Sequence, residues 1–226
     1  MFMVTHLIGF AAGGAAVTVT YADSAADATN LTTYTFSGRA LGTPSPSRQV
    51  VVGAVSPGTT TQVSSVTIAG NAAASVIDAG AVNPAPSLWK VSDSTNATGD
   101  IVVTFAAGVS RCAIIIYEVH NASTTVHDTG THQLAGGTAN STLLTDTINV
   151  AAGGAVIGFA AAGDGAVTQP WTWTELTEDV ETAGEANTSS TGASKAYAGA
   201  QTGMTVTAQH TGTDARAFVL VSFAPL

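Results

Sequence analysis

The chain has 226 residues, of which 45% are apolar and only 9% are charged. An ordinary globular domain has about 25% charged residues, and disorder requires high charge with few apolar residues, so this composition excludes a disordered chain. The formal net charge is −9, and the six Lys and Arg residues are scattered along the sequence, which excludes a basic surface for nucleic acid.

The amino-terminal stretch "MFMVTHLIGFAAGGAAVTV" is apolar, but it is broken by glycines and carries no basic residues at its start. It therefore lacks the basic region of a signal peptide, and its apolar run is too short for a membrane span. The pattern predicts a first strand and no membrane partner. We expect a protein made in the cytoplasm and retained there unless a larger particle carries it out.

Short apolar runs rich in Val, Ile, Thr and Phe alternate with clusters of Gly, Pro, Ser and Asn. This pattern is typical of strands and turns, and no stretch has the period of an amphipathic helix. In chain order it predicts strands at 7–10, 16–21, 33–36, 49–55, 64–69, 74–78, 88–91, 100–105, 112–119, 143–150, 155–161, 171–175, 194–198, 204–210 and 217–223. Gly70 and Asn71 both tolerate positive φ, so "IAGNAAASVI" predicts a tight hairpin.

Short, evenly spaced strands without helical crossovers favour an all-β antiparallel architecture, either a sandwich or a barrel. We expect a single jelly-roll-like β-sandwich domain over residues 1–226, with very little helix. The polar stretch 181–195 predicts a long surface loop.

Two phrases of the sequence resemble each other: "GDIVVTFAAGVSRCAIIIYEV" and, at the end of the chain, "GMTVTAQHTGTDARAFVLVSF". We interpret each as a hairpin, 101–105 with 112–119 and 204–210 with 217–223. A second pair of similar phrases is "HLIGFAAGG" and "AVIGFAAAG". Since the repeats have no constant period, they exclude a solenoid and predict equivalent central strands in two facing sheets.

The runs "CAIIIYEV" and "AFVLVSF" are apolar on both faces of a strand. A central strand of a sandwich buries one face, so the second face must also be covered, either by a loop or by a partner subunit.

Arg111 and Arg216 precede these two apolar runs at matching places. They are candidate structural arginines, because an arginine at a strand edge covers apolar surface with its stem and keeps its head in solvent. The alternative is that they contact an anion or a partner.

The sequence has no constellation typical of a reaction. There is no G-x-S-x-G motif, and Cys112 begins an apolar strand, where a thiol is usually inert. His120, His127 and His132 lack the spacing of metal ligands, and Glu118 is the main acid within a predicted strand. We expect no enzymatic activity, no catalytic residue, no metal and no cofactor.

The segment "QPWTWTELTEDVETAGE" contains Trp171 and Trp173, which share one face of a strand, and Glu175, the first of five acids. One interpretation is an aromatic patch, Trp171, Trp173 and Glu175, that binds a glycan or another partner. The other is that the tryptophans pack in the core or on a sheet edge, beside a solvated acidic loop.

The phrases "IGFAAGGAAVTVTYADSA", "GRALGTPSPSRQVVVGAV", "GDIVVTFAAGVSRCAIIIYEV" and "VAAGGAVIGFAAAG" together with "WTWTELTED" are similar to a group of tailed-bacteriophage proteins encoded among virion structural genes. The resemblance extends over nearly the whole chain, and it consists of strand sequences without a catalytic signature. It implies a non-enzymatic virion component in many copies, with the major capsid protein or other virion proteins as partners.

Within that resemblance we expect a capsid decoration, or cement, protein on the outer surface of the head. A chain of net charge −9 is repelled by the DNA packed inside a head, so the outer surface is favoured. The alternative is a glycan-binding receptor module of a tail or head fibre.

Overall fold

A computed structural model describes residues 14–134, 143–163, 171–184, 188–210 and 215–226. Within these ranges the chain forms seventeen strands and no helix. The strands are β1 (Thr18–Asp27), β2 (Leu31–Ala40), β3 (Gln49–Val55), β4 (Val63–Ile68), β5 (Asn71–Ala72), β6 (Ala74–Asp78), β7 (Ser87–Ser92), β8 (Thr98–Val109), β9 (Cys112–His120), β10 (Asp128–Leu134), β11 (Leu143–Val150), β12 (Ala155–Ala162), β13 (Trp171–Thr174), β14 (Thr177–Gly184), β15 (Thr188–Ala196), β16 (Gln201–His210) and β17 (Arg216–Phe223). The predicted strand at 7–10 lies outside the described residues.

The strands form four sheets in which every pairing is antiparallel. The inner N-terminal sheet has the order β1-β9-β3-β7-β6, and the outer N-terminal sheet has the order β2-β8-β4-β5. The inner C-terminal sheet has the order β10-β17-β12-β15-β14, and the outer C-terminal sheet has the order β11-β16-β13. The prediction of an all-β antiparallel fold is confirmed.

The two halves of the chain have the same topology. When β1 is matched to β10, β3 to β12, β7 to β15, β9 to β17 and β6 to β14, the two inner sheets have identical strand orders. Matching β2 to β11, β8 to β16 and β4 to β13 does the same for the outer sheets, and β5 is the one addition. The similar phrases are therefore the marks of an internal duplication, and the chain contains two equivalent sets of sheets.

Three apolar clusters join the sheets into four layers. The first cluster lies between the outer and inner N-terminal sheets, and the third lies between the inner and outer C-terminal sheets. The second takes its residues from both inner sheets, among them Ile115 and Tyr117 of β9 and Val219 and Val221 of β17. The two inner sheets thus face each other, as the similar phrases predicted for β9 and β17.

This arrangement explains why the central strands are apolar on both faces. In β9, Ile114 and Ile116 face the first cluster, whereas Ile115 faces the second. In β17, Phe218 faces the third cluster and Val219 faces the second. We had expected a loop or a partner subunit to cover the second face. Instead, the other half of the same chain covers it.

The interpretation of each repeated phrase as a hairpin is wrong. β8 pairs with β2 and β4 in the outer N-terminal sheet, whereas β9 pairs with β1 and β3 in the inner one. β16 and β17 are separated in the same way. Each phrase therefore crosses from one sheet to the next, because its two strands bury their apolar faces against each other instead of sharing backbone hydrogen bonds.

Two local predictions are resolved by the register. The "IAGNAAASVI" hairpin is confirmed only in part: Ile68 lies opposite Asn71, but the turn is Ala69 and Gly70, with φ of 49° and 79°, instead of the predicted Gly70 and Asn71. The predicted returning strand, β6, pairs with β7 and not with β4. The predicted loop at 181–195 is wrong, because β14 and β15 pair with each other across most of this stretch. The Ser and Thr residues that led to the loop prediction are mostly buried in β15, among them Ser189, Ser190 and Thr191.

At β3 and β12 a glycine of one inner sheet faces an aromatic ring of the other. A Cβ atom added to Gly53 would lie 2.8 Å from Cγ of the Phe159 ring, which is closer than a real contact allows. The glycine therefore makes room for the aromatic ring at the centre of the second cluster. The Phe159 side chain of β12 fills the space that the missing side chain of Gly53 leaves on β3.

Candidate functional site

The two tryptophans of the predicted aromatic patch point into the third cluster. Trp171 is 1% exposed, and its Nε1 donates a hydrogen bond to Ser189 Oγ at 2.8 Å. Trp173 is half-buried; it packs against Phe218 with the ring centroids 6.1 Å apart and donates from Nε1 to Thr191 Oγ1 at 3.2 Å. A buried indole offers no platform to a sugar, so Trp171 is a core residue.

Glu175 lies apart from these rings, in the turn between β13 and β14. It is exposed and has a positive φ of 66°. Its carboxylate is 3.8 Å from Lys195 Nζ, and its backbone carbonyl accepts a hydrogen bond from the Tyr197 hydroxyl at 2.7 Å. The three residues Trp171, Trp173 and Glu175 therefore do not form one exposed patch.

Arg216 is buried, so the expectation that its head lies in solvent is wrong. It is 1% exposed, and its Nη1 donates to the carbonyl oxygen of His210 at 2.5 Å. Burial, and then the positive charge of Arg216, lower the pKa of His210 to about 4. Because of this the imidazole stays neutral beside the guanidinium over the physiological range.

Arg111 is not the structural equivalent of Arg216. Val50 is paired with Glu118 in the N-terminal half, and Val156 is paired with Ser222 in the C-terminal half. Val50 and Val156 are equivalent positions of β3 and β12, so their partners Glu118 and Ser222 are equivalent positions of β9 and β17. Counting back six residues from each makes Cys112 the equivalent of Arg216. Arg111 lies one residue earlier, in the connection between β8 and β9, where it is half-buried. The matching arginines of the two phrases thus occupy different positions of the fold.

The buried arginine of the N-terminal half is Arg48, which the sequence analysis did not single out. Its guanidinium donates to the carbonyl oxygens of Asp93, Leu41, Gly42 and Asn96 at 2.7, 3.2, 3.0 and 2.6 Å. Its Nη2 also lies 3.5 Å from the Asp93 carboxylate, and both side chains are almost completely buried. Arg48 therefore fixes the loop before β3 to the loop after β7.

Asp93 is held ionised by its surroundings. Burial opposes the charge, but it is outweighed by hydrogen bonds from the backbone amides of Thr95 and Asn96, by the Asn96 side chain and by the charge of Arg48. Together they lower the pKa of Asp93 from 3.8 to about 2. The pair is thus charged throughout the normal pH range.

One hydrogen-bonded chain of a hydroxyl, an imidazole and a carboxylate stands out among the described residues. Ser45 Oγ lies 2.8 Å from His120 Nδ1, and His120 Nε2 lies 3.0 Å from Glu118 Oε2. The same carboxylate oxygen accepts the backbone amide of Thr43 at 2.6 Å. The side chains of Glu118 and His120 are 12% and 18% exposed. We call these three residues, Ser45, His120 and Glu118, the Ser45 chain.

The loop that carries Ser45 is rigid for reasons visible in the sequence. Pro44 and Pro46 fix the backbone on both sides of the serine. The Arg48 amide donates to the Ser45 carbonyl, closing a turn with Pro46 at its second position. Gly42, with φ of +87°, leaves space that a Cβ would take from the Glu118 carboxylate. The loop is therefore built around this carboxylate.

Sequence reasoning missed the Ser45 chain because Ser45 and His120 are 75 positions apart. A signal was present, however: Glu118 and His120 are two residues apart on a predicted strand and therefore share a face. Only the fold shows that the serine loop reaches the same face.

Other kinds of site find little support. Among the described residues no group of three or more His, Cys, Asp and Glu side chains is placed to hold a metal ion. The part of the chain that the structure describes also contains no helix long and apolar enough to cross a membrane.

No protein-family model and no curated protein matches this chain.

Proposed function

We propose that the protein is a structural component of a bacteriophage virion, and specifically a capsid decoration protein that binds the major capsid protein on the outer surface of the head. The proposal begins from the resemblance to virion structural proteins that the strand phrases suggested in the sequence analysis. Its role in the shell is to hold neighbouring subunits together and needs no reaction.

The observation that carries the proposal is the pair of hydroxyl-rich faces at opposite ends of the four layers. The outward residues of the outer C-terminal sheet include Thr145, Thr147, Thr172, Thr174, Thr205 and Thr207, with Leu143, Asn149 and Gln209 on the same face. In this face Thr207 is opposite Thr145 on one side and Thr174 on the other, and the Thr174 and Thr207 hydroxyls are 2.6 Å apart. The outer N-terminal sheet has a similar face, with the Thr33 and Thr104 hydroxyls 3.3 Å apart.

Such faces suit contact with protein. Charged residues are depleted at the centre of interfaces because their desolvation is costly. In each face one pair of threonine hydroxyls is already hydrogen-bonded, Thr174 with Thr207 and Thr33 with Thr104. Adjacent sheets are about 10 Å apart, so the two faces are separated by about 30 Å and point in opposite directions. A molecule of this shape can contact two neighbours at once, as a cement requires, and several such contacts add in affinity.

The strand order supports the finer description of each half as a jelly-roll-like sandwich. In each half the first, last, third and sixth strands of an eight-stranded set, counted without β5, are neighbours in the inner sheet, which is the order that a jelly roll produces. Under this description the chain is a pair of sandwiches packed through their inner sheets, a rigid body suited to repeated packing in a shell.

The experiment compares particles assembled with and without this protein. We expect particles that lack it to release DNA at lower temperature and after milder osmotic shock, and to recover when purified protein is added. Antibody labelling of intact particles should mark the head. Particles that are equally robust but fail to adsorb to cells would contradict the cement role and favour the fibre receptor module.

A charge placed in the contact face sharpens this test. Thr205→Lys puts an ammonium group on the outer C-terminal face, whereas Thr124→Lys puts the same group on an exposed loop. We expect only the first variant to lose binding to particles that lack the protein, with both variants folded. Equal binding by the two variants would show that this face is not the contact surface.

A further inference from the structure

We propose that the Ser45 chain is an acyl-transfer site, with Ser45 as nucleophile, His120 as general base and Glu118 as the positioning residue, acting on esters of short carboxylic acids. This activity is independent of the proposed role in the virion. It rests on the geometry of three side chains, on the absence of the carboxylate and imidazole from the other half of the chain, and on a small cavity lined by Pro46 and Ser47.

For a neutral imidazole beside an ionised carboxylate, the contacts of His120 select one tautomer. With the imidazole proton on Nε2, that nitrogen donates to Glu118 Oε2, and Nδ1 accepts the hydroxyl proton of Ser45. The carboxylate then orients the ring and stabilises the imidazolium that forms when the base takes a proton. The two ring nitrogens have exchanged places relative to the serine proteases, in which Nε2 faces the serine, but either nitrogen can act as the base.

The internal duplication provides a control for a purely structural role. The ladder that pairs Val50 with Glu118 corresponds to the one that pairs Val156 with Ser222. Two residues further along, the counterpart of His120 is Ala224. The same end of the fold therefore forms in the second half without a carboxylate or an imidazole, so the fold does not require this pair in the first half.

The surroundings also suit a small substrate. A surface cavity of about 90 Å³ is lined by the two residues that follow Ser45, Pro46 and Ser47, together with Arg48, Gln49, Ser92, Ala122, Thr124 and Leu226. Ser47 Oγ lies 3.5 Å from Ser45 Oγ and connects the cavity wall to the Ser45 chain. A single water needs only about 10–15 Å³ measured in this way, so the cavity has room for an acyl group of a few heavy atoms. A serine between two prolines keeps its position without a further entropy cost on binding.

The reaction proceeds in two balanced steps. Ser45 Oγ attacks the ester carbonyl carbon while His120 Nδ1 takes the hydroxyl proton; the bond to the alcohol oxygen breaks, and the alcohol leaves with that proton. Water then attacks the acyl-serine and passes a proton to Nδ1. The bond to Oγ breaks, Ser45 regains its proton, and the carboxylic acid is released.

The first test uses a fluorophosphonate probe on the full-length protein, with peptide mapping of the label. We expect one label per chain, on Ser45, and a loss of at least about tenfold in labelling rate in His120→Gln, since a general base contributes about 10²–10⁴-fold. Ser65→Ala and His127→Gln, which change an exposed serine and an exposed histidine elsewhere, should label like the wild type. No label, or a label that persists in Ser45→Ala, would overturn the proposal.

Turnover of p-nitrophenyl acetate gives a second readout. We expect Ser45→Ala to abolish it, and p-nitrophenyl octanoate to be a poor substrate because the cavity is small. Glu118→Gln should lower kcat with KM unchanged and with the unfolding temperature within a few degrees of wild type, as a positioning role requires. Hydrolysis that continues unchanged in Ser45→Ala would refute the assignment.

A cysteine in place of the serine tests the same geometry without removing a nucleophile. Ser45→Cys should react with iodoacetamide about tenfold faster at neutral pH than Ser65→Cys, and His120→Gln in the same chain should remove that advantage. The native Cys112 gives little background, because it is 1% exposed and burial raises the pKa of its thiol. Equal reaction rates at positions 45 and 65, in folded protein, would show that His120 does not activate this position.

Discussion

Replacing Asp93 by Asn tests the buried ion pair that holds two loops of the N-terminal half together. Asn keeps an oxygen at the position that accepts the Thr95 and Asn96 amides, so the local turn can persist. The negative charge beside Arg48, 3.5 Å away, is lost. The variant therefore changes the electrostatics of the pair with little change in shape.

The magnitude follows from the pKa of Asp93, which falls from 3.8 to about 2 on folding. One pKa unit corresponds to 1.36 kcal/mol, so ionised Asp93 contributes about 2 kcal/mol to the free energy of unfolding. Because the folded-state pKa is the lower one, this contribution is complete above pH 3.8 and is lost as the pH falls through 3.8 towards 2. At neutral pH Asp93→Asn should cost at least ~2 kcal/mol, since a buried Arg48 without its partner adds to the loss.

The assay is urea unfolding at pH 7, 5, 3 and 2, followed by far-UV circular dichroism. The difference between wild type and Asp93→Asn should be constant from pH 7 to pH 5 and then shrink by about 2 kcal/mol by pH 2. Asp100→Asn, on an exposed carboxylate, should differ from wild type by less than about 0.5 kcal/mol at neutral pH. If wild type and Asp93→Asn lose stability in parallel down to pH 2, the ion pair does not contribute in the way derived.

Three further outcomes are expected from the packing. Gly53→Ala should lower the free energy of unfolding, measured with urea, by about 1–3 kcal/mol because the added methyl group contacts Phe159. Adding Phe159→Leu to this variant should restore part of the lost stability. Gly199→Ala, which has open space around it, should have little effect. His210, whose pKa falls from 6.5 to about 4, should cost wild type about 3 kcal/mol as the pH falls from 6.5 to 4, because only the unfolded state takes up the proton; a His210→Gln variant that kept this loss would refute the assignment. Trp171→Phe should remove a blue-shifted emission component that acrylamide does not quench, whereas an easily quenched component would place this ring at the surface.

The strands that the sequence predicted best lie in or beside the core. The bounds of β3 and β11 match the predictions 49–55 and 143–150, because their ends are marked by a change from apolar or alternating residues to glycine, proline or polar clusters. By contrast, β10 and β14 were not predicted. Both are edge strands of the inner C-terminal sheet, and an edge strand carries polar and charged residues that hide the period of two.

Buried polar groups were the second kind of failure. Arg48 and Arg216 look like surface residues in the sequence, since arginine is almost never fully buried unless it is paired. Each is 1% exposed, because carbonyl oxygens accept its hydrogen bonds: those of Leu41 and Asn96 for Arg48, and that of His210 for Arg216. These carbonyl oxygens come together only after the sheets have packed, so no local sequence pattern predicts a buried arginine.

The duplication separates what the fold requires from what has been added to it. Equivalent positions of the two halves, such as Val50 and Val156, are both apolar because each faces a cluster between two sheets. Where the two halves differ, the fold tolerates either residue. Glu118 is half-buried at the position equivalent to Ser222, and burying a carboxylate there costs desolvation energy unless hydrogen bonds offset it. The Thr43 amide and His120 supply those bonds, and the loop that supplies the amide also supplies Ser45. A carboxylate, a base and a hydroxyl have thus been placed together at a position that the other half leaves as serine and alanine, and the cost of placing them there is the reason to look for their use.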